Sequence, residues 1–560
     1  MIHEELLGAV RAAVSVLGAD PSRVVLEHPA DLSHGDFSTN AALQIAKELK
    51  TSPRAAADLL VAEIIKVQPA SVERIDIAGP GFINFYLTRD AFVHMTSDIS
   101  AVGSAWGKNA LLSGKKVMVE YSQPNPFKVF HIGHLMSTVV GESISRLVEN
   151  AGATIHRANY QGDIGLHIAK AIWGIQKTGK DPHDVTALGE SYVFGATAYE
   201  DDPEAKKEID ALNLKLYAKD PAYQLIYDAG RAASLAKFEE LYKILGTKFD
   251  TYFFESAIAQ TAIDTVRDAL AKGIFEESDG AIVYKGEKVG LHTRVFISGK
   301  GAPMYEAKEL ALVKAKQDVF PYDLNITTIA VEQDQYFKVV EAALAEVWPE
   351  LRGKYTHVAF GMMLLPTGKM ASRKGTVITG ESLIEGMRQE ALKKMADRDL
   401  GDDKEKIADE VAVAAIKFSI LKQGTGKNII FDPAAALSFD GDSGPYLQYA
   451  YTRALSVLAK AKSEKIQASG AMAPVEPVVL ERILYRFPEV VERATLENEP
   501  HLVTTFLVEI AGLFNSWYAS EKIVDPIDPH SPYKVALTEA FATTMKNGLW
   551  LLGISTLDKM

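Results

Sequence analysis

Cysteine is absent from all 560 residues. Disulfides, thiolate-ligated zinc, iron–sulfur clusters and thiolate nucleophiles are thereby excluded, and a reducing cytoplasm is the natural home. Long apolar runs are lacking too. No segment approaches the ~18 consecutive apolar residues of a membrane span, and the opening Met1-Ile2-His3-Glu4-Glu5 has neither a basic n-region nor an apolar h-region. A soluble, unprocessed, cytoplasmic protein without a membrane partner is expected. Positive charge is in deficit: 60 Lys and Arg against 73 Asp and Glu give a formal charge of −13. That balance disfavours indiscriminate polyanion binding, DNA included, but leaves room for a basic channel on an acidic body. Hydrophobic residues at 47% and charged residues at 24%, with Gly 40 and Pro 23, exclude a collagen-like or wholly disordered chain. At roughly 100–200 residues per domain, the length predicts about three or four domains.

Periodicity divides the chain. Leu6, Val10, Ala13, Val14 and Leu17 recur at helical spacing, as do Ala42, Leu43, Ala46 and Leu49, and Ser52-Pro53 opens a helix through Leu59, Leu60 and Ile64. The period then changes. Ile75 and Ile77 alternate, Gly79-Pro80-Gly81 turns the chain, and Phe82–Leu87 reads as a second strand, giving an α+β module over residues 1–107. From Lys115 strands alternate with helices: Val117–Tyr121, then a helix from His131 through Leu147, and strands at Thr154–Ala158, Thr293–Ile297, Ile326–Val331 and His357–Phe360. This predicts a Rossmann-like, doubly wound, mostly parallel sheet in a catalytic domain over 108–440, its ligand beyond the strand C-termini. A charged helical insertion interrupts it at about 177–277. From Gly444 only helical spacing remains, predicting an all-α bundle over 441–560.

The most informative stretch is Glu120–His134, EYSQPNPFKVFHIGH. After a buried strand it sets His131 and His134 three residues apart on a helix's first turn, where unpaired N–H groups already favour phosphate. Gly133 leaves that turn without a side chain, so a flat purine can approach while both imidazoles donate to oxygens gaining charge. The competing reading is a pair of surface or capping histidines. A second stretch, Gly368–Gly375, carries Lys369, Arg373, Lys374 and the hydroxyl of Ser372 between glycines. Such a loop can close over a triphosphate, or it can be solvated charge and nothing more.

Together the two stretches resemble the HIGH and KMSKS elements of class I aminoacyl-tRNA synthetases. With Asn159–Gly165, the bundle entry Gly444–Arg453, and the opening segments His34–Asn40 and Ala78–Phe85, the resemblance narrows to the arginyl-tRNA synthetase family. It implies ATP-dependent ligation of L-arginine to tRNA(Arg): the arginine carboxylate attacks the α-phosphate of ATP·Mg²⁺, and the adenylate is passed to the terminal ribose. No protein nucleophile and no structural metal are expected, and a monomer is expected. His131, His134, Lys128, Lys369, Arg373 and Lys374 are the implied catalytic residues, and Gly133, Gly162, Met370 and Ser372 join the histidines at ATP. Arginine is a planar cation, so its pocket needs a buried carboxylate. The resemblance offers Glu120, Asn125, Tyr305, Glu309 and Gln333.

The chain departs from the family pattern where Glu309 replaces a usual Asp, Gln123 a small hydroxyl residue, Ile164 a Trp, and Ser372 the second Lys of KMSKS; Lys128 is placed to supply that lost charge. Phe82 and Asn84 are expected at the tRNA elbow. Tyr449, Tyr451 and Arg453, beside Tyr446, either stack on anticodon bases or pack between helices, whereas Trp517 and Tyr518 read as packing. Two other readings remain open at this point. One is another class I synthetase of lysyl type, the cysteinyl type needing thiolates this chain lacks; the other is a non-catalytic RNA-binding or amino-acid-sensing relative.

Overall fold

The computed structural model describes residues 2–67, 69–366, 368–369, 378–398 and 400–560, with backbone alone at Gly368 and Lys369. The chain forms two compact units: residues 1–106, 454–486 and 513–544 in the first, and 107–453, 487–512 and 545–560 in the second. The helices after Gly444 are shared between the two.

In the first unit, Phe82–Leu87 lies between Phe37–Thr39 and Val72–Ala78 in an antiparallel sheet, with Phe37 opposite Phe85. Helices Ile2–Val16 and Pro53–Val67 bury Leu6, Val10, Val14, Leu60 and Ile64 with Ile83 and Phe85. Ser52 caps the second helix through the Ala55 N–H at 3.2 Å, with Pro53 in the first turn as the sequence predicts. The stripe Ala42–Leu49 is helical only over Ala41–Ile45. Charge pairs fasten the helical segments of this unit: Arg482 donates to Asp36 at 2.7 Å, and Arg89 donates to Glu481 at 2.6 Å.

The second unit is built on five parallel strands, in spatial order Tyr355–Phe360, Leu324–Ala330, Lys116–Glu120, Thr154–Gln161 and Thr251–Phe254. Val117, Met118 and Val119 are all buried, as in a strand covered on both faces. The chain starts at the centre, winds outward one way, and returns to wind the other. A crevice therefore opens beyond Glu120 and Ala330, where the winding reverses.

Two sequence expectations need correction. Strand Thr251–Phe254 falls inside the stretch read as insertion; four residues are too few to show a period, and only its pairing with Ala158–Gln161 defines it. Arg294–Ile297 is a strand but belongs to a separate antiparallel sheet with Glu276–Ser278 and Ala281–Tyr284. Before strand Thr251–Phe254 the insertion is helical, Val185–Asp201, Pro203–Tyr217 and Pro221–Ile244, each opened by an aspartate accepting a backbone N–H, and after it comes the helix Glu255–Ala271.

Helix His501–Ser520 has the length and mean hydropathy, 1.2, of a membrane span. It also carries Glu509 and Asn515 and buries Val503, Phe506, Leu507 and Ile510 within the protein, as the core helix of a bundle does.

Candidate active site

The loop from Glu120 to His131 is held in a conformation that few side chains adopt freely. Ser122, Gln123 and Phe127 all have positive φ, at 77°, 50° and 66°. Such backbone strain persists only where surroundings impose it, and it concentrates at functional sites. Here Ser122 N–H donates to Ser137 Oγ at 2.9 Å and Phe127 N–H to Ser234 Oγ at 3.0 Å.

The loop ends at His131, the N-cap of helix Ile132–Asn150. Gly133 N–H donates to His131 Nδ1 at 3.1 Å, and His131 N–H donates to His134 Nδ1 at 3.3 Å. The capping reading and the catalytic reading thus coexist: because both Nδ1 atoms accept, each neutral ring carries its proton on Nε2. The rings stack with centroids 3.5 Å apart. Desolvation, then the Lys128 charge, lowers His131; burial, then His131 and Lys128, holds His134 well below the usual imidazole range. Both are neutral donors at pH 7. Gly133 is constrained by the same arrangement, since a Cβ there would lie 3.0 Å from His131 Cε1. The Lys128 ammonium sits 4.9 Å from the centre of the Tyr192 ring.

Met370, Ser372, Arg373 and Lys374 lie outside the described residues, and Lys369 is described by its backbone alone, in a short strand paired with Leu364. The downstream end of that loop is fastened to the histidine turn: Thr379 bridges to His131, and Gly380 N–H donates to Phe130 O at 2.7 Å. Gly380 permits this approach, because a Cβ would fall 2.8 Å from the Phe130 ring.

The acidic pocket lies where strand Lys116–Glu120 meets helix Tyr305–Val319. Three of its four carboxylates have a cation: Glu120 pairs with Lys316, Glu255 with Lys308, and Glu306 with Arg294 at 3.5 Å. Glu309 has none within 4 Å among the described residues. Desolvation and then the Glu120 charge raise its pKa, to about 8. Gln123 Nε2 donates to Glu120 Oε1 at 2.8 Å and to Thr328 O at 3.2 Å, while Ser137 Oγ donates to Gln123 Oε1 at 3.2 Å. The residue that departs from the family pattern therefore ties the two central strands together beneath the pocket.

Asn125 Oδ1 accepts Gly162 N–H at 3.2 Å; a Cβ on Gly162 would stand 2.5 Å from that oxygen. Tyr305, one turn before Glu309, is 66% exposed, with the Lys308 ammonium 5.3 Å from its ring centre. That exposure removes the alternative that Tyr305 is ordinary core. Gln333 is exposed after strand Leu324–Ala330, its Oε1 accepting Ala330 N–H at 3.3 Å. Sequence reasoning missed Lys316, Lys308, Glu255 and His167. The His167 ring is bonded to Gly162 O at 2.8 Å and depressed to about 4 by desolvation and Lys128. None of these four stands in a motif; only folding brings them together. His156, Asp163 and the other described acids and histidines form no group of three or more that could hold a metal ion.

Of the residues expected at tRNA, Phe82 is 42% exposed, but Asn84 is buried and its Oδ1 accepts the Ser38 hydroxyl at 2.7 Å. Asn84 thus serves the sheet rather than the surface. Tyr451 is likewise buried, whereas the Arg453 guanidinium lies 4.6 Å above the Tyr449 ring and donates to its hydroxyl at 3.0 Å. Tyr451 is packing; Tyr449 and Arg453 form a partly exposed stacking pair.

Comparison with known proteins agrees with this geometry along the whole chain. The family model for the class I (R) tRNA synthetase catalytic domain matches residues 99–433, the DALR anticodon binding domain matches 447–560, and the arginyl tRNA synthetase N-terminal domain matches 2–87. The arginine–tRNA ligase of Streptococcus thermophilus is 32% identical over 100% of both chains, and that of Clostridium botulinum 29% identical over 97% of each. Among solved structures, the arginyl-tRNA synthetase of Thermus thermophilus superposes with a TM-score of 0.82 at 25% identity, covering 100% of both chains. Three family models in order, and a relative matched from end to end, place this chain in the arginyl-tRNA synthetase family of class I.

Proposed function

We propose that the chain ligates arginine to tRNA, consuming ATP, through an arginyl-adenylate. The observation that carries the reading is Glu309, which among the described residues is the one carboxylate of the four-acid pocket with no cation within 4 Å, although the Lys316 charge reaches it. A guanidinium is the missing partner, being planar, always charged and suited to a carboxylate. With the guanidinium at Glu309 and Tyr305 beside it, the α-carboxylate of the substrate extends toward Asn125 and the histidine turn.

There His131 and His134 present Nε2–H to the phosphate being attacked, and Lys128 adds a full charge nearby. These donors are fixed before the reaction and strengthen as charge develops on phosphorus-bound oxygens, which is how positioned groups accelerate displacement without a covalent intermediate. Lys369, Arg373 and Lys374 are proposed to complete the cradle around pyrophosphate, with Met370 and Ser372 shaping it. Magnesium is proposed to arrive on the ATP phosphates. The described side chains offer it no cage, and no step here depends on it.

The finer assignments rest on the same reading: tRNA(Arg) as the cognate acceptor, residues 1–107 and Phe82 at the tRNA elbow, 108–440 for adenylate chemistry, 441–560 with Tyr449 and Arg453 at the anticodon, and a monomer in the cytoplasm. ATP–pyrophosphate exchange, run with tRNA present, tests the core of it. Exchange should require arginine and fall when Glu309→Gln is introduced, with ATP affinity unchanged. Exchange supported equally by lysine would overturn the pocket assignment.

A further inference from the structure

We propose that Tyr160 is a specificity-determining residue of the arginine pocket, its buried hydroxyl oxygen accepting an N–H of the guanidinium. The inference rests on the arginine-ligase reading above. Strand register puts Tyr160 in the pocket. Glu120 lies opposite Ala158 on the neighbouring strand, and Tyr160, one full repeat beyond Ala158, projects from the same face of the sheet. Opposite Tyr160 on the next strand is Phe253, and Met118, Ala158 and Phe253 share one core with Ala307, Leu310 and Ala311 of helix Tyr305–Val319. That helix carries Glu309. Tyr160 thus stands at the C-terminal end of its strand, on the side that faces Glu309, just before Gly162, whose N–H holds Asn125 at 3.2 Å.

The two ends of this side chain differ. Part of the residue remains exposed, yet the hydroxyl is buried and has no hydrogen-bond partner among the described residues. A buried hydroxyl left unmet is costly, and a Phe would fill the same space without the cost. Desolvation, then the Glu255, Glu309 and Glu120 charges, hold the phenol well above its usual range, so the group is a neutral hydroxyl at pH 7. A guanidinium presents several N–H donors and no acceptor. Carboxylates meet some of them, but a further carboxylate would add charge to a pocket that already holds Glu120, Glu255, Glu306 and Glu309. A neutral oxygen takes another N–H without adding charge. An ammonium is a compact point charge with fewer donors and no planar fork, so this acceptor favours arginine over lysine.

The test is Tyr160→Phe in the full-length protein, which keeps the ring and removes only the oxygen. Calorimetric titration should show arginine weakened by roughly ten- to a hundredfold, the usual effect of losing one hydrogen bond to a charged group. The melting temperature without arginine should stay parental or rise, because the free protein loses only an unmet polar atom. In ATP–pyrophosphate exchange with tRNA present, KM for arginine should rise and KM for ATP stay parental. Inhibition of that exchange by lysine should be the same in both proteins, so the preference for arginine narrows.

Arginine bound as tightly by Tyr160→Phe as by the parent overturns the proposal. Equal weakening of arginine and lysine overturns the specificity it assigns. A variant that melts lower, or fails to fold, shows that the protein itself already uses the hydroxyl, and that result overturns the proposal as well. A parent protein that neither binds arginine nor exchanges pyrophosphate with it refutes the arginine-ligase reading itself, and is distinguished from failure of the Tyr160 proposal by that absence.

Discussion

Arginine binding should release a proton, and Glu309 should be its source. Its carboxyl is raised to about 8 by desolvation and by Glu120, so at pH 7 about nine in ten free molecules hold it protonated. A guanidinium against an ionised carboxylate typically lowers the pKa by 1–3 units, to about 5–7, which leaves the bound form about half to fully deprotonated at pH 7. Binding at pH 7 should then release about 0.4–0.9 proton. Losing that proton costs about 1.4 kcal/mol at pH 7 and far less at pH 8, so arginine affinity should rise roughly five- to fiftyfold between pH 6 and pH 8.

The sign for stability runs the other way. A carboxyl whose folded pKa lies above its unfolded value binds more protons when folded, so its contribution is fully present below the unfolded value of 4.5 and is lost as pH rises toward 8. Arginine should therefore raise the melting temperature more at pH 8 than at pH 6. The assay is calorimetric titration in two buffers of different ionisation enthalpy, the difference in apparent heat giving the proton count. Glu309→Gln should bind weakly, with neither proton release nor pH dependence. An affinity flat from pH 6 to pH 8, or proton uptake on binding, would refute the reasoning.

Other perturbations give separate outcomes. His134→Ala should leave the protein folded, at a cost of about 0.5–2 kcal/mol for the lost cap on the His131 N–H, but slow single-turnover adenylate formation by roughly a hundred- to thousandfold, the usual effect of losing one donor to a developing negative charge. Gly162→Ala forces a methyl to within 2.5 Å of Asn125 Oδ1, so kcat/KM for arginine should fall by roughly ten- to a hundredfold while circular dichroism stays parental. Phe82→Ala should raise the apparent KM for tRNA and leave arginine affinity alone. Asn84→Ala should instead lower stability by about 1 kcal/mol, because it removes the acceptor of the half-buried Ser38 hydroxyl, which a denaturant titration will read.

Much of this molecule was legible in its sequence, for reasons that differ by element. The parallel sheet announced itself through runs such as Val117–Tyr121 alternating with helical stripes, and the histidine turn through a short motif whose residues act within four positions of one another. What depends on distant pairing was hidden. Thr251–Phe254 is a strand only because Thr154–Gln161 offers it an edge. Arg294–Ile297 joins the wrong sheet for its place in the alternation, a matter of topology that a strand signal does not encode.

The pocket shows the same division. Glu309 is legible by its resemblance to a family position, but that it pairs with no cation among the described residues is visible only once Lys316, Lys308 and Arg294 are seen on the other three acids. Tyr449 and Tyr451 lie two residues apart on one helix, and their opposite fates follow from which side faces the core.

Charging of tRNA, measured with each of the amino acids in turn in the presence of ATP and magnesium, tests the central claim most directly. The account predicts aminoacylation of tRNA with arginine alone, with lysine and citrulline inert. Charging with lysine, or with no amino acid in a protein shown to be folded, would contradict it.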